Sequence, residues 1–278
     1  MIAVLIAGSV AMMFSLFGTR ALISFFDSIG KGQPILGSDD HGPVHHMKKQ
    51  GTATMGGIAI MVSAFVGWAV AHLRGGIALS DQAMIMWAIC GILSVVGFLD
   101  DFLKVRHAQN RGIFWKKKGQ ITFGLVVVMM TWLLLGTGVS ETLSFTRFDL
   151  PGWNLSPVLW VVWTSVMVWA TTNAVNVTDG LDGLAAGSAL FGFLAFTVIA
   201  YWAFRNPDIY NLVNPLDLAV FSAAMAGACG GFLWWNAAPA RIFMGDVGAL
   251  GIGAALGLLA VTTNTHMLLP LICALNVM

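Results

Sequence analysis

The sequence predicts an all-α polytopic membrane protein, and three observations carry that prediction. The AVILMFWYC set makes up 58% of 278 residues before 32 glycines are counted, against roughly 45–50% with glycine included in soluble domains. Charged residues are 10%, where about 25% is usual. The apolar residues gather into runs of the length a bilayer demands, about 20 residues each. With 14 lysines and arginines and 13 acids, the chain cannot cover a water-soluble globule. It also lacks the basic face of a nucleic-acid binder. Net charge is +1, so partners must be read from where the charges fall.

Eight complete spans are expected, at 2–26, 55–73, 83–99, 120–137, 157–174, 184–204, 217–235 and 247–263. The first has no basic residue before it and no small-residue cleavage site ahead of Arg20, so it reads as a retained span. A ninth run begins near His266 and stops at Met278. Its roughly twelve residues would rise about 18 Å, short of a hydrocarbon core of about 30 Å. A single membrane domain, 1–278, truncated at its C-terminus, is therefore expected. The longest inter-span segment, 27–54, is too short and glycine-rich to fold alone. Cys90, Cys229 and Cys273 sit in apolar runs without ligand spacing and read as buried filler. His72 and His266 fall at span ends and are expected at the outer interface.

Loop charge sets the orientation. Loops after odd-numbered spans hold Lys31, Lys48, Lys49, Lys104, Arg106, Arg111, Lys116, Lys117, Lys118 and Arg241; those after even-numbered spans hold only Arg74, Arg147 and Arg205. This asymmetry places the N-terminus outside and the odd-numbered loops in the cytoplasm.

Five carboxylates then lie at cytoplasmic span ends. Asp100 and Asp101 close span 3, Asp179 and Asp182 follow span 5, and Asp246 precedes span 8. A carboxylate near hydrocarbon is expensive and marks a site or a paired group. Five from three segments at one depth would repel unless a cation sat among them. Oxygen ligands without clustered cysteine point to a hard ion, Mg²⁺ or Mn²⁺. Asn173, Asn176, Asp179 and Asp182 recur every three residues, which on a helix makes one slanting polar stripe. Asp100 and Asp101 are about 100° apart on a helix and should not share one role. Carboxylates for a metal, lysines for anions and glycines for close approach are the parts of a phosphoryl-transfer site. There is no P-loop. Gly251-Ile252-Gly253 with Gly257, and Gly227 with Gly231, lie inside spans and read as helix packing. Phe243, three residues before Asp246, could stack on a base.

At these residues the sequence resembles a known family. His41-Gly42-Pro43 with His45, Lys49 and Thr52-Ala53-Thr54-Met55-Gly56-Gly57 is similar to the first cytoplasmic motif of the phospho-N-acetylmuramoyl-pentapeptide transferases, in the polyprenyl-phosphate N-acetylhexosamine-1-phosphate transferase superfamily. Asp100-Asp101-Phe102-Leu103-Lys104, the stretch Asn173–Ala185 and Gly245-Asp246-Val247-Gly248 resemble the next three motifs, in order. The resemblance implies ten helices and transfer of phospho-MurNAc-pentapeptide from UDP-MurNAc-pentapeptide to undecaprenyl phosphate, giving lipid I and UMP with Mg²⁺ in peptidoglycan synthesis. It implies a multi-pass protein of the bacterial cytoplasmic (inner) membrane with its active site facing the cytoplasm, lipids around it and a homodimer as one admissible assembly. Carried over residue by residue, Asp246 and Asn176 take the metal, and Asp100, Asp101 and Asp246 form the catalytic set. Lys49, Thr54, Lys104, Lys116, Asn173, Asn176, Asp179, Gly180, Leu181, Asp182, Asn236 and Phe243 bind substrate. Ala53 stands where the family usually has proline, a change expected to be tolerated. The family's histidine-rich loop before its last span has no counterpart, because the sequence ends first.

Two other readings stand beside this one. A superfamily relative would use UDP-GlcNAc or a similar donor, which a nucleotide-sugar panel separates. An ion-coupled transporter would place its ionisable groups near the bilayer midplane, whereas here they crowd the span ends.

Overall fold

The computed structural model describes residues 1–29, 52–74, 76–106, 113, 115–147 and 149–274. Lys49, His41 and His45 lie outside them. The chain is mostly helical: α1 (Ile2–Ile29), α2 (Gly57–Leu73), α3 (Asp81–Arg106), α4 (Trp115–Gly136), α5 (Pro157–Thr178), α6 (Leu184–Arg205), the short α7 (Pro207–Tyr210), α8 (Pro215–Asn236), α9 (Gly245–Thr262) and the short α10 (Leu269–Ile272). Among the described residues seven helices are long and apolar enough to cross a membrane, and α2, with 17 residues, is a shorter apolar one. Successive long helices run in opposite directions, so the ends of α3, α5 and α8 and the starts of α2, α4, α6 and α9 gather at one face.

Local chemistry sets the boundaries. Ser156 caps α5, accepting the Leu159 N–H at 3.4 Å ahead of Pro157, where the proline's missing N–H costs nothing. Gly183 (φ 77°) and Gly245 (φ 72°) take left-handed backbone just before α6 and at the start of α9, a conformation open to glycine without a Cβ penalty. Two expectations are corrected. The chain is not all-α: Thr142–Arg147 and Leu150–Asn154 form an antiparallel hairpin between α4 and α5. Its β-branched and aromatic residues alternate over too few positions to register as a span or an obvious strand. And α3 does not stop at Leu99 but continues to Arg106, so the two aspartates and Lys104 ride on its last two turns.

α9 is the axis of the molecule. Every residue from Asp246 to Thr262 is buried, as expected for a helix apolar all round. Glycines let the neighbours close on it. A Cβ on Gly57 would meet the Gly248 backbone, one on Gly97 the carbonyl of Asp246, and one on Gly253 the backbone of Thr172. Gly227 and Gly231 likewise seat α8 against Gly8 and Met12 of α1. The paired glycines thus serve helix packing, as read from the sequence. Cys90, Cys229 and Cys273 are free and buried.

The far ends of α2, α3 and α8 are joined by one buried carboxylate. Asp217 accepts the Trp68 Nε1–H at 2.7 Å and the Ser80 hydroxyl at 2.6 Å, with His72 Nε2 at 3.3 Å. His72 is thus an internal partner rather than an interfacial residue. His266 is also buried, at 2% exposure, and burial pushes its imidazole down to about 4.

Candidate active site

The face where the helix ends gather holds a cluster of opposite charges. Asp100 and Asp101 come from the end of α3, Asp246 from the first turn of α9, and Lys104 and Lys118 from α3 and α4. Carboxylate oxygens of the three aspartates lie within 4.8 Å of one another. The Lys104 ammonium is 2.7 Å from Asp100, 3.6 Å from Asp101 and 2.8 Å from Asp246. Its position follows from helix periodicity, since Asp100 and Asp101 stand four and three residues before it. Lys118 pairs with Asp246 and reaches Asp100 at 3.3 Å.

The two adjacent aspartates have different partners. Asp100 accepts the Ile113 backbone N–H at 2.5 Å, and Asp101 accepts the Val247 N–H at 3.2 Å across the α3–α9 seam. Asp101 therefore fixes the start of α9, while Asp100 gathers the lysines and the Ile113 N–H. A Cβ on Gly245 would run into Asp101 and meet the Thr54 hydroxyl at 3.2 Å. Thr54 is buried against this turn rather than open to ligand.

The stripe of 173–182 divides. Asn176 donates its amide N–H to Asp246. Asp179, just past the end of α5, accepts the Gly245 N–H at 3.1 Å, and Asp182 accepts the Ala240 N–H at 3.2 Å. Asn236 donates to the Ile242 carbonyl at 2.9 Å and accepts from Gly183 at 3.1 Å. Asp179, Asp182 and Asn236 thus clamp the 237–245 loop onto the segment that follows α5, while Asn176 ties α5 to Asp246 at the start of α9. The same loop pairs with the segment before α2: Phe243 donates to Ala53 at 2.8 Å and accepts from Gly56 at 2.9 Å. Burial pushes the Asp179 carboxyl well above the usual carboxylate range. The Gly245 N–H opposes this, and the Asp246 and Asp101 charges reinforce it. Gly180 and Leu181 are exposed in the turn beyond. Asn173 is exposed and donates to its own helix at Trp169 O, 2.7 Å, so the structure does not bring it to the carboxylates.

Lys116 also stands apart from the carboxylates. On α4 it is about 200° from Lys118, so only one of the two can face the aspartates. Lys116 instead lines a groove of about 640 Å³ between α4 and α5 with Gly119, Gln120, Phe123, Trp169 and Asn173. Lys118 was not singled out from the sequence. A run of three lysines at a helix start reads as inside-positive charge, and only the helical phase set by buried Thr122, one turn on, separates the inward member.

The donor set fits a hard divalent cation. It is all carboxylate and amide, and two lysines against three aspartates leave one negative charge uncompensated. A divalent ion held by one or two carboxylates and completed by substrate phosphate oxygens is the usual magnesium arrangement.

An apolar helical bundle of this kind, with an acid–lysine cluster at one face, defines a polytopic membrane protein. Residues 83–264 match the profile of glycosyl transferase family 4. The chain is 39% identical over 297 residues to a phospho-N-acetylmuramoyl-pentapeptide-transferase of Beutenbergia cavernae, covering 100% of this chain and 82% of the relative. Relatives of the same name from Streptomyces griseus and Mycobacterium tuberculosis are 38% and 41% identical over 291 residues each, covering 99% of this chain and 81% and 80% of the relatives. The chain belongs to glycosyl transferase family 4, among the phospho-N-acetylmuramoyl-pentapeptide-transferases.

Proposed function

We propose that the protein transfers phospho-MurNAc-pentapeptide from UDP-MurNAc-pentapeptide to undecaprenyl phosphate, yielding lipid I and UMP, with Mg²⁺ held by Asp246 and its neighbours. The observation that carries this reading is the meeting of Asp100, Asp101 and Asp246 with Lys104 and Lys118 at one end of an apolar bundle. Two anions must approach each other in such a transfer, and the two lysines can neutralise and position them. Mg²⁺, when bound, would add charge neutralisation at the transferred phosphoryl group. The loop clamped by Asp179, Asp182 and Asn236 presents Phe243 and is assigned to the nucleotide. The α4–α5 groove, apolar with Lys116 and Asn173 on its lining, is assigned to the lipid acceptor. A nucleotide-sugar panel tests the whole. UDP-MurNAc-pentapeptide should give a lipid-linked product and UMP, and a preference for UDP-GlcNAc would overturn it.

The topology proposed with it is eight membrane-crossing helices and the start of a ninth, in one domain, with the N-terminus outside and the acid–lysine face in the cytoplasm of a bacterial inner membrane. In intact cells a cysteine replacing Lys117 should be shielded from an impermeant thiol reagent, and one replacing Thr146 in the hairpin should label. The reverse pattern would invert the orientation and remove the cytosolic donor.

The aspartate pair is proposed to act by orientation and charge rather than as a base. A phosphate monoester has a second pKa near 6, so the acceptor is mostly dianionic at about pH 7–8 and has little proton to give up. Asp100 is already an acceptor for Lys104, Lys118 and the Ile113 N–H. An Asp100→Asn enzyme should therefore stay slow from about pH 7 to about 9.5. Recovery toward the wild-type rate at high pH, with wild type flat, would make Asp100 a base.

A further inference from the structure

We infer that Arg241 is a specificity residue that receives the terminal carboxylate of the donor's peptide, an assignment that rests on the donor proposed above. Arg241 lies in the loop between α8 and α9. Its guanidinium sits 5.6 Å from the centroid of the Trp235 ring, and its backbone N–H donates to Trp235 O at 2.9 Å. The indole is itself fixed, its Nε1–H donating to Leu16 O of α1 at 2.8 Å. On either side the loop is tied to the site, at Ala240 by Asp182 and at Ile242 by Asn236. An exposed arginine normally keeps its rotamer freedom. This one lies over an indole ring, and among the described residues no carboxylate forms an ion pair with it. Inside-positive charge explains a basic residue in the loop but not its placement against an indole ring. Arg241 is exposed, so its guanidinium N–H groups stay open to a planar carboxylate.

The donor's chemistry supplies such a group. A muramoyl-pentapeptide is joined through its peptide N-terminus to an acyl group, so the far end of the peptide is a free carboxylate. Five extended residues span about 17 Å, and the five-residue chain from Arg241 to Asp246 spans at most about 18 Å. The peptide terminus can therefore reach Arg241 while the sugar phosphate lies at Asp246. A lipid phosphate offers the same anionic chemistry, so the test must separate the two sources.

The test compares wild type with Arg241→Gln on two donors, UDP-MurNAc-pentapeptide and UDP-MurNAc without peptide, with undecaprenyl phosphate as acceptor in neutral detergent and again with anionic phospholipid added. With the pentapeptide donor, KM should rise about fivefold while kcat changes by less than about twofold, the scale of one exposed ion pair. With the peptide-free donor the two enzymes should coincide, which also shows that the variant is folded. Equal KM for the pentapeptide donor, or an equal rise for both donors, would overturn the assignment. So would a difference that appears only with anionic lipid, which would make the ligand a headgroup. A wild-type enzyme inactive on both donors would overturn the proposed function itself, and this inference with it.

Discussion

Replacing Asp246 with asparagine should slow transfer by at least ~100-fold at saturating Mg²⁺, the scale of losing charge stabilisation at a reacting oxyanion. Both Asp246 oxygens are in use. One accepts the Asn176 amide, and the other accepts Lys104, at 2.8 Å, and Lys118. Asparagine has the same shape but only one oxygen, so either Asn176 or the lysine pair would face an N–H. The lysines would also lose the acid that draws α4 toward α9. The Val247 N–H to Asp101 bond, at 3.2 Å, does not involve the changed group, so α9 should still start where it does. Turnover with a parallel thermal melt separates chemistry from folding. Near-normal turnover with an unchanged melt would remove Asp246 from the centre of the site.

Gly97→Ala should be comparably severe although residue 97 carries no chemistry. A Cβ there would run into the Asp246 carbonyl and approach Val247 N to 2.7 Å. Both are backbone, with no flexible side chain to give way. Overpacking of this kind costs about 1–3 kcal/mol, and the relief available is for α3 and α9 to part. A separation of about 1 Å would carry Asp246 away from Asp100 and Lys104, and a misplacement of that size can cost ~100-fold in rate. Gly91→Ala is the internal control, because on the same helix its Cβ would meet nothing within 4 Å. Wild-type kcat and Tm are expected for Gly91→Ala, and both should fall for Gly97→Ala. Equal activity in the two variants would show that the α3–α9 seam has slack.

The long helices were legible because apolar runs of bilayer length leave a signal stronger than any local propensity. The same signal hides ends. The apolar run of span 3 stops at Leu99, yet helical continuation to Arg106 is what lets Asp100, Asp101 and Lys104 converge. The hairpin at Thr142–Asn154 was invisible for a related reason: six- and five-residue strands are too short to show a period beside runs of twenty. Among the site residues, the motifs named Asp100, Asp101, Asp246 and Asn176, which the structure gathers. Asn173 shared their three-residue spacing but looks outward, because that spacing drifts around a helix of 3.6 residues per turn. Lys118 required knowing which face of α4 turns toward Asp246 when α4 packs against α3 and α5, a tertiary fact no spacing within Lys116–Lys118 contains.

The distance along the chain between the partners of the cluster has a consequence for how the protein is made. Lys104 and Asp246 are 142 residues apart, and Asp101 and Val247 146. At a synthesis rate of about 5–20 residues per second, roughly 7–30 s pass between the emergence of α3 and that of α9. Through that interval two aspartates stand at the end of an apolar helix with none of their α9 partners yet translated. Lys104, one turn away on the same helix, is the counter-charge that arrives with them. The nascent segment thus carries its own neutralising group, and it can enter the bilayer as a nearly balanced unit and wait there for the ribosome to finish the site.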